Sequence, residues 1–309
     1  MYLLRNRGLS GFVPISATGG SVTDVTIEGV DYRVHSFTTV GTSSFVVTDA
    51  GTGGKIDALI VAGGGSGGNA TSGGGGAGGL IFLNRFDVTA QSYSITVGAG
   101  GARASGQRGI GFNGSNTVAF GSTAIGGGRA ASNTGTSSGV NATDGGSGGG
   151  GSRSTSGTNF VGAAGSGLQP GSASGGFGND GGTSVSGESS CGGGGAGEAP
   201  SAGQGPGGLG LNAVTVNGVV YNFAGTFGTN YGEVVGQEAW FAGGGGGSSP
   251  AGLGGTGGGG DANPDGTAGR RAALPNTGGG GGGVRGNVST GLTEGGSGIV
   301  IIRYPLQPV

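Results

Sequence analysis

Few residues in this chain are equipped for chemistry. Its 309 residues include a single His, His35, and a single Cys, Cys191. A catalytic triad needs a nucleophile and an orienting acid beside the imidazole. His35 instead lies among strand-forming residues between Arg33 and Phe37, and reads as a half-exposed strand side chain. Cys191 precedes a glycine run with no basic residue nearby in sequence, so it reads as a small buried filler. Residues 63–68 satisfy the dinucleotide pattern G-x-G-x-x-G after an apolar run. The helix that would receive the pyrophosphate does not follow, because residues 69–73 lead into another glycine run. Residues 51–55 resemble a phosphate loop, yet Ile56 stands where Ser or Thr would reach Mg²⁺, and a turn between strands is expected. Asp180, Asp261 and Asp265 lie among glycines, and residues 257–266 echo a calcium-binding nonapeptide repeat. The echo occurs once, and Asx turns account for these carboxylates more simply. No catalytic residue, cofactor site or metal site is expected, and the chain reads as a non-enzyme.

Composition narrows the classes further. The chain has 13 basic and 15 acidic residues, a net charge of -2. That is not the clustered basic footprint of a nucleic-acid binder. One Cys excludes a disulfide scaffold. No apolar run approaches the ~18–20 residues of a membrane helix, and the first residues are too short and too charged a stretch for a signal peptide. Glycine supplies 90 of the 309 residues, where ~7% is ordinary. Glycine costs about 1 kcal/mol per helical site relative to Ala, so helix is not expected. Collagen is excluded because there is no strict triplet and only 9 Pro. With 32% hydrophobic residues and little net charge, the usual signature of disorder is missing as well.

The elements can be read around the glycines. Residues 1–62 hold 9 of the 90, and residues 299–309 hold none, so two ordinary ends bracket a glycine-rich middle. Strands are expected within 30–62, from the β-branched and aromatic residues around Tyr32, Phe37, Phe45 and Ile56. A glycine-free island at 80–97 predicts two more. Asn217-Gly218 between β-formers predicts a hairpin over 214–223, because a type I′ turn needs positive φ at both positions. A smaller hairpin is expected around Gly121 and Ser122. The apolar run 299–304 predicts an inner strand that pairs with the N-terminal set and closes one β-sandwich across the chain.

Six runs hold four or more glycines: 73–76, 148–151, 192–195, 243–247, 257–260 and 278–283. They could be flexible linkers. They could also be extended threefold helices of the polyproline II type, packed side by side because no Cβ holds them apart. Their backbone groups would then bond to neighbouring helices, as buried backbone groups must. Six copies between strand-forming ends favour the bundle.

These features resemble a known family. The residues that carry the likeness begin with Tyr32, Phe37, Phe45 and the apolar run 56–61 ending in 63–65. They continue through 73–80 and 93–101, Val220-Tyr221, Trp240-Phe241-Ala242 before 243–247, Asn276-Thr277 before 278–283, and 295–305. The pattern, over roughly 29–305, resembles the glycine-rich domain of bacteriophage tail-fibre and other virion proteins. It is similar also to the distal adhesins of T-even-like phage fibres and to the glycine-rich extracellular region of anaplastic-lymphoma-kinase-type receptors. The resemblance implies an all-β fold, a β-sandwich with an inserted polyglycine II bundle, and in the phage case a role in host attachment. The receptor group carries several disulfide cysteines and a leader; their lack here favours the phage group.

On this reading the chain is a virion protein, a tail fibre or fibre-tip adhesin made in the host cytoplasm. A head or neck fibre, a capsid decoration protein and a secreted glycine-rich surface protein are the alternatives. Residues 1–28 lack an obvious strand set and are expected to form an apolar docking arm toward other virion proteins, with 29–309 as the glycine-rich domain. A homo-oligomer, such as a trimer, is expected. Glycine helices present almost no side chains, so recognition of a host receptor, a glycan or an outer-membrane protein, must fall on the joining loops. The candidate contact residues are Arg103, Arg108, Tyr231 and Trp240.

Overall fold

The computed structural model describes residues 11–106, 109–136, 138–153, 161–185, 189–203, 205–248, 252–263, 270–285 and 292–309. The first strands are β1 (Ser16–Thr18), β2 (Ser21–Ile27), β3 (Val30–Phe37), β4 (Gly41–Asp49) and β5 (Lys55–Val61). Next come β6 (Leu80–Asp87), β7 (Ser92–Val97), β8 (Thr117–Ala119) and β9 (Ser122–Ala124). Three separate hairpins follow, β10 (Ser132–Thr136) with β11 (Ser138–Val140), β12 (Ala213–Val216) with β13 (Val219–Asn222), and β14 (Glu233–Val235) with β15 (Glu238–Trp240). A short helix α1 (Phe223–Phe227) lies between the last two hairpins, and β16 (Ile299–Pro305) ends the series.

Two five-stranded antiparallel sheets form the sandwich, one in the order β1-β4-β7-β8-β9 and the other β2-β3-β16-β5-β6. Their facing sides enclose a core that includes Phe45, Val47, Ile95 and Val97 from the first sheet and Phe37, Ile56, Ile60, Val300 and Ile302 from the second. The second sheet is buried on its other face too. There Val34, Leu59, Val61, Ile299 and Ile301 pack against Val214, Phe223, Phe227 and Phe241. Successive residues of β5 and β16 therefore enter different cores. A strand buried on both faces reads as a continuous apolar run rather than an alternation, which is why 299–302 was legible. As expected, β16 is an inner strand: Ile301 lies opposite Ser36 of β3 and Leu59 of β5. The hairpin at 217–218 also has positive φ at both turn residues, +50° and +81°.

Residues 16–27 correct the expectation of a strand-free arm over 1–28. β1 pairs with β4 and β2 with β3, so these residues form an edge of each sheet. β2 is mostly exposed. It is held by its ladder and by Asp24, which accepts two hydrogen bonds from Arg33 at 2.8 Å. Its hydrophobic pattern is weak for that reason. Ile15 is buried in the sandwich core, and residues 1–10 lie outside the described residues. Helix α1 was likewise not expected; the Asn222 side chain caps it by accepting from the Gly225 amide.

Between β5 and β16 the chain builds a backbone lattice, and residues 73–79 show its rule. The amides of residues 73, 76 and 79 donate to the carbonyls of 131, 128 and 125. Those of 74 and 77 donate to 191 and 194, and those of 75 and 78 to 281 and 278. Each neighbour is met again at every third residue, the period of a polyglycine II helix. The carbonyls of the same segment accept from three further segments: from 150 and 147, from 65 and 62, and from 245. Residues 73–79 thus bond to six surrounding segments. Residues 62–69 repeat the scheme, donating in turn to 79 and 76, to 115, 112 and 109, and to 296 and 293. The dinucleotide-like residues 63–68 belong to this second segment. The ordered bundle, not a set of linkers, is what the glycine runs encode.

The glycines are required by these close approaches. A Cβ on Gly74, Gly193, Gly245 or Gly280 would overlap the carbonyl oxygen of Gly245, Gly75, Gly281 or Gly75 respectively. Each segment therefore excludes side chains toward its neighbours.

Candidate functional site

The four candidate contact residues do not form one site. Arg103 is exposed beyond the segment that leaves β7 at Gly98. The Asn69 amide donates to the carbonyls of Ala104 and Gly106, which fixes the height of this loop. Residue 69 is seven residues past Ala62, so the loop stands roughly 20 Å beyond the sandwich. Arg108 lies outside the described residues. Tyr231 and Trp240 belong to the opposite region. Tyr231 packs against the outer core of the second sheet. Trp240 is half-buried on β15, and its indole N–H donates to Glu238 at 3.1 Å. Phe241 beside it is fully buried. The aromatic residues of this segment are thus divided between core and surface.

His35 corrects the expectation of a half-exposed side chain, for it is fully buried. Its Nδ1 is 2.7 Å from the Gly19 carbonyl oxygen and its Nε2 is 3.0 Å from the Tyr304 hydroxyl. A carbonyl only accepts, so Nδ1 carries the proton and Tyr304 donates to Nε2 of the neutral ring. Burial pushes the imidazole pKa below its ordinary value, with Arg33 nearby acting in the same direction. Burial also raises the pKa of Tyr304. This is a satisfied core pair, with the His35 ring edge-on to Phe45 at 5.1 Å. Cys191 is buried, as expected, and its Sγ donates to the Thr183 carbonyl.

The glycine-flanked acids serve the lattice across segments rather than through local Asx turns. Asp261 accepts from the amides of Gly254 and Arg271, and Asp180 from that of Gly167; Asp265 lies outside the described residues. Glu233, which the sequence reading passed over, accepts from the consecutive amides of Gly257 and Gly258 at 2.6 and 2.7 Å and pairs with Arg271. Both glycines have positive φ. Among the described residues no three His, Cys, Asp or Glu side chains come together as a metal set.

A cleft of about 470 Å³ opens at the end of the sandwich away from the glycine lattice. Its floor is an ion pair set directly across two strands. Arg303 of β16 lies opposite Asp57 of β5, and the side chains meet at 2.9 Å. Asp57 also accepts from the Arg85 amide at 2.9 Å and from the Asn84 side chain. The remaining guanidinium nitrogen donates to the Thr226 carbonyl of α1, and the guanidinium lies over the Tyr32 ring, 4.4 Å from its centre. Arg85 sits where the β5–β6 register shifts, with φ at +50°. That conformation is uncommon outside Gly, Asn and Asp. Tyr221, Lys55, Phe12 and Val13 complete the walls. Asp57 and Arg303 had a signal in the sequence that was not taken up: each is a charge inside an apolar strand, and buried charges are paired.

A β-sandwich whose inner-sheet strands are interrupted by a threefold backbone lattice is a scaffold defined by glycine rather than by side chains. A family model described as a glycine-rich domain matches residues 38–305, and the chain belongs to that family. No curated protein matches the chain.

Proposed function

We propose that this chain is a bacteriophage virion protein, a tail fibre or fibre-tip adhesin that takes part in host attachment. The lattice supports the reading. It commits its backbone to internal hydrogen bonds and its interior to glycine, so partner recognition is left to the joining loops and the sandwich. A rigid spacer made of backbone holds such loops away from the rest of a particle while their side chains vary without cost to the core. Arg103, with Arg108 five residues further along the sequence, is the candidate contact for a host glycan or outer-membrane protein, and Tyr231 and Trp240 are the second, separate candidates. The residues before β1 are the proposed link to other virion proteins, in a homo-oligomer.

The test separates the two patches. Arg103→Ala with Arg108→Ala, and Tyr231→Ala alone, are each measured for binding to host cells and for melting temperature. Loss of binding in the double variant at unchanged melting supports attachment through that loop. Binding equal to the parent in both variants counts against these residues. Immunogold labelling on the head or neck of the particle would support a head fibre or decoration protein instead.

A further inference from the structure

We propose that the cleft at the end of the sandwich is a binding site for an acidic saccharide, a hexuronate or similar sugar acid. The inference is independent of the virion reading. Its first support is charge. Lys55, Arg85 and Arg303 line the cleft beside one acidic side chain, Asp57, in a chain whose net charge is -2. Asp57 is fully engaged by Arg303, Asn84 and the Arg85 amide, and Lys55 pairs with the exposed Asp87. The Arg85 side chain is exposed on the cleft wall and makes no hydrogen bond or ion pair among the described residues. It is the group available to a carboxylate, and guanidinium recognises carboxylates in a paired, planar fashion.

A second support is the backbone. Arg85 is held at positive φ by the bulge and by the Asp57 carboxylate under its amide. Backbone strain of this kind collects at ligand sites. The ligand class follows from the walls. Tyr32 and Tyr221 line the cleft with aromatic surface, Tyr32 carrying the Arg303 guanidinium on one face and Tyr221 packing against Phe82, and Asn84 and the backbone at Gly53 contribute polar groups. Aromatic faces suit the C–H face of a pyranose, polar groups suit its hydroxyls, and Arg85 takes the acid. A cleft of about 470 Å³ admits a mono- or disaccharide; small-molecule sites usually occupy ~300–1,000 Å³.

The experiment titrates the full chain, by NMR or calorimetry, with glucuronate, galacturonate and sialic acid, beside glucose, citrate and a glutamate-rich peptide. Saturable binding of at least one sugar acid, with glucose and citrate silent, is expected. Arg85→Asn removes the charge while keeping a residue that accepts positive φ. It should weaken binding about tenfold or more with an unchanged or raised melting temperature. Binding by none of the sugar acids would overturn the proposal. So would equal binding of citrate, which marks a simple anion site, or preferential binding of the peptide. Sugar binding undiminished in Arg85→Asn would overturn the role of this residue and the location with it. Host attachment is read separately, and its loss or survival in the loop variants does not bear on this result.

Discussion

At the scale of single residues, identity is fixed by what surrounds each backbone atom. Gly280 has the carbonyl oxygen of Gly75 where a Cβ would stand. Gly280→Val should destabilise the chain by ~3 kcal/mol or more, since over-packing and displaced hydrogen bonds act together. Gly171→Ala is the control. Its added Cβ would meet only one carbonyl oxygen at 3.9 Å and its φ is ordinary, so its melting point should stay within the range of neutral surface changes, about ±0.5 kcal/mol. Parallel melting of the two variants would refute close packing at 280. His35 makes a prediction of the other kind. Its folded pKa lies below the value of a free imidazole, so in the interval between the two the unfolded chain binds the extra proton. Stability is then present above pH ~6.5 and declines as pH falls through that interval, by up to ~1.4 kcal/mol per pH unit. Denaturant titrations at pH 7.5, 6.0 and 5.0 measure this slope, and His35→Gln should reduce it. An unchanged slope in that variant would assign the acid sensitivity to other groups.

At the scale of elements, the sandwich was legible and the lattice only in outline. β16 announced itself because a strand buried on both faces must be apolar at every position. β2 was missed because an exposed edge strand is stabilised by its ladder and by the Arg33–Asp24 pair, neither of which leaves a hydrophobic period. Helix α1 was missed because a five-residue turn of helix rests on the Asn222 cap and on burial of Phe223 and Phe227, not on propensity. The glycine runs revealed that segments would pack, but a run of identical residues carries no register. The register comes from punctuating residues such as Asp261 and Glu233, whose carboxylates select particular amides, and Asn69, whose side-chain amide selects particular carbonyls. Candidate site residues were harder still: a lone exposed Arg looks the same in sequence whether it lines a cleft, as Arg85 does, or a loop. Two outcomes are expected here. Amides of 243–247 and 278–283 should show strong protection from hydrogen exchange, since they donate to 257, 208, 75, 260 and 205 and to 297, 243, 65 and 246 among others. Exchange within the dead time would return these runs to the status of linkers. Glu233→Ala frees the amides of Gly257 and Gly258 and leaves Arg271 without its carboxylate partner, though still bonded to the Gly254 carbonyl. It should cost about 2 kcal/mol and speed exchange at 257–258 before it does so at 75–78.

At the scale of the whole molecule, one sheet joins strands from opposite ends of the sequence. β16 lies between β3 and β5, and residues 62–298 intervene before it is made. A ribosome adding ~5–20 residues each second needs roughly 10–50 s to cover that distance. Throughout, β3 and β5 wait with the edges that face β16 unpaired, and Leu59, Val61 and Val34 lack their neighbours Ile299 and Ile301 in the outer core. An exposed apolar edge is a template for aggregation. Removing residues 299–309 should make that waiting state permanent. The truncated chain is expected in the insoluble fraction, and a peptide of residues 299–305 supplied during refolding should rescue part of it by adding the missing strand. Soluble, cooperatively melting truncated protein would show that the sheet closes without β16. The glycine-rich insert has a kinetic meaning in this light. The glycine runs within residues 62–298 carry no large apolar side chains and offer a nascent chain few wrong partners, so part of the wait falls on segments with little to misfold. β16, made after the other strands of its sheet, then acts as a latch that permits the sandwich to close only once the lattice between its two halves is present.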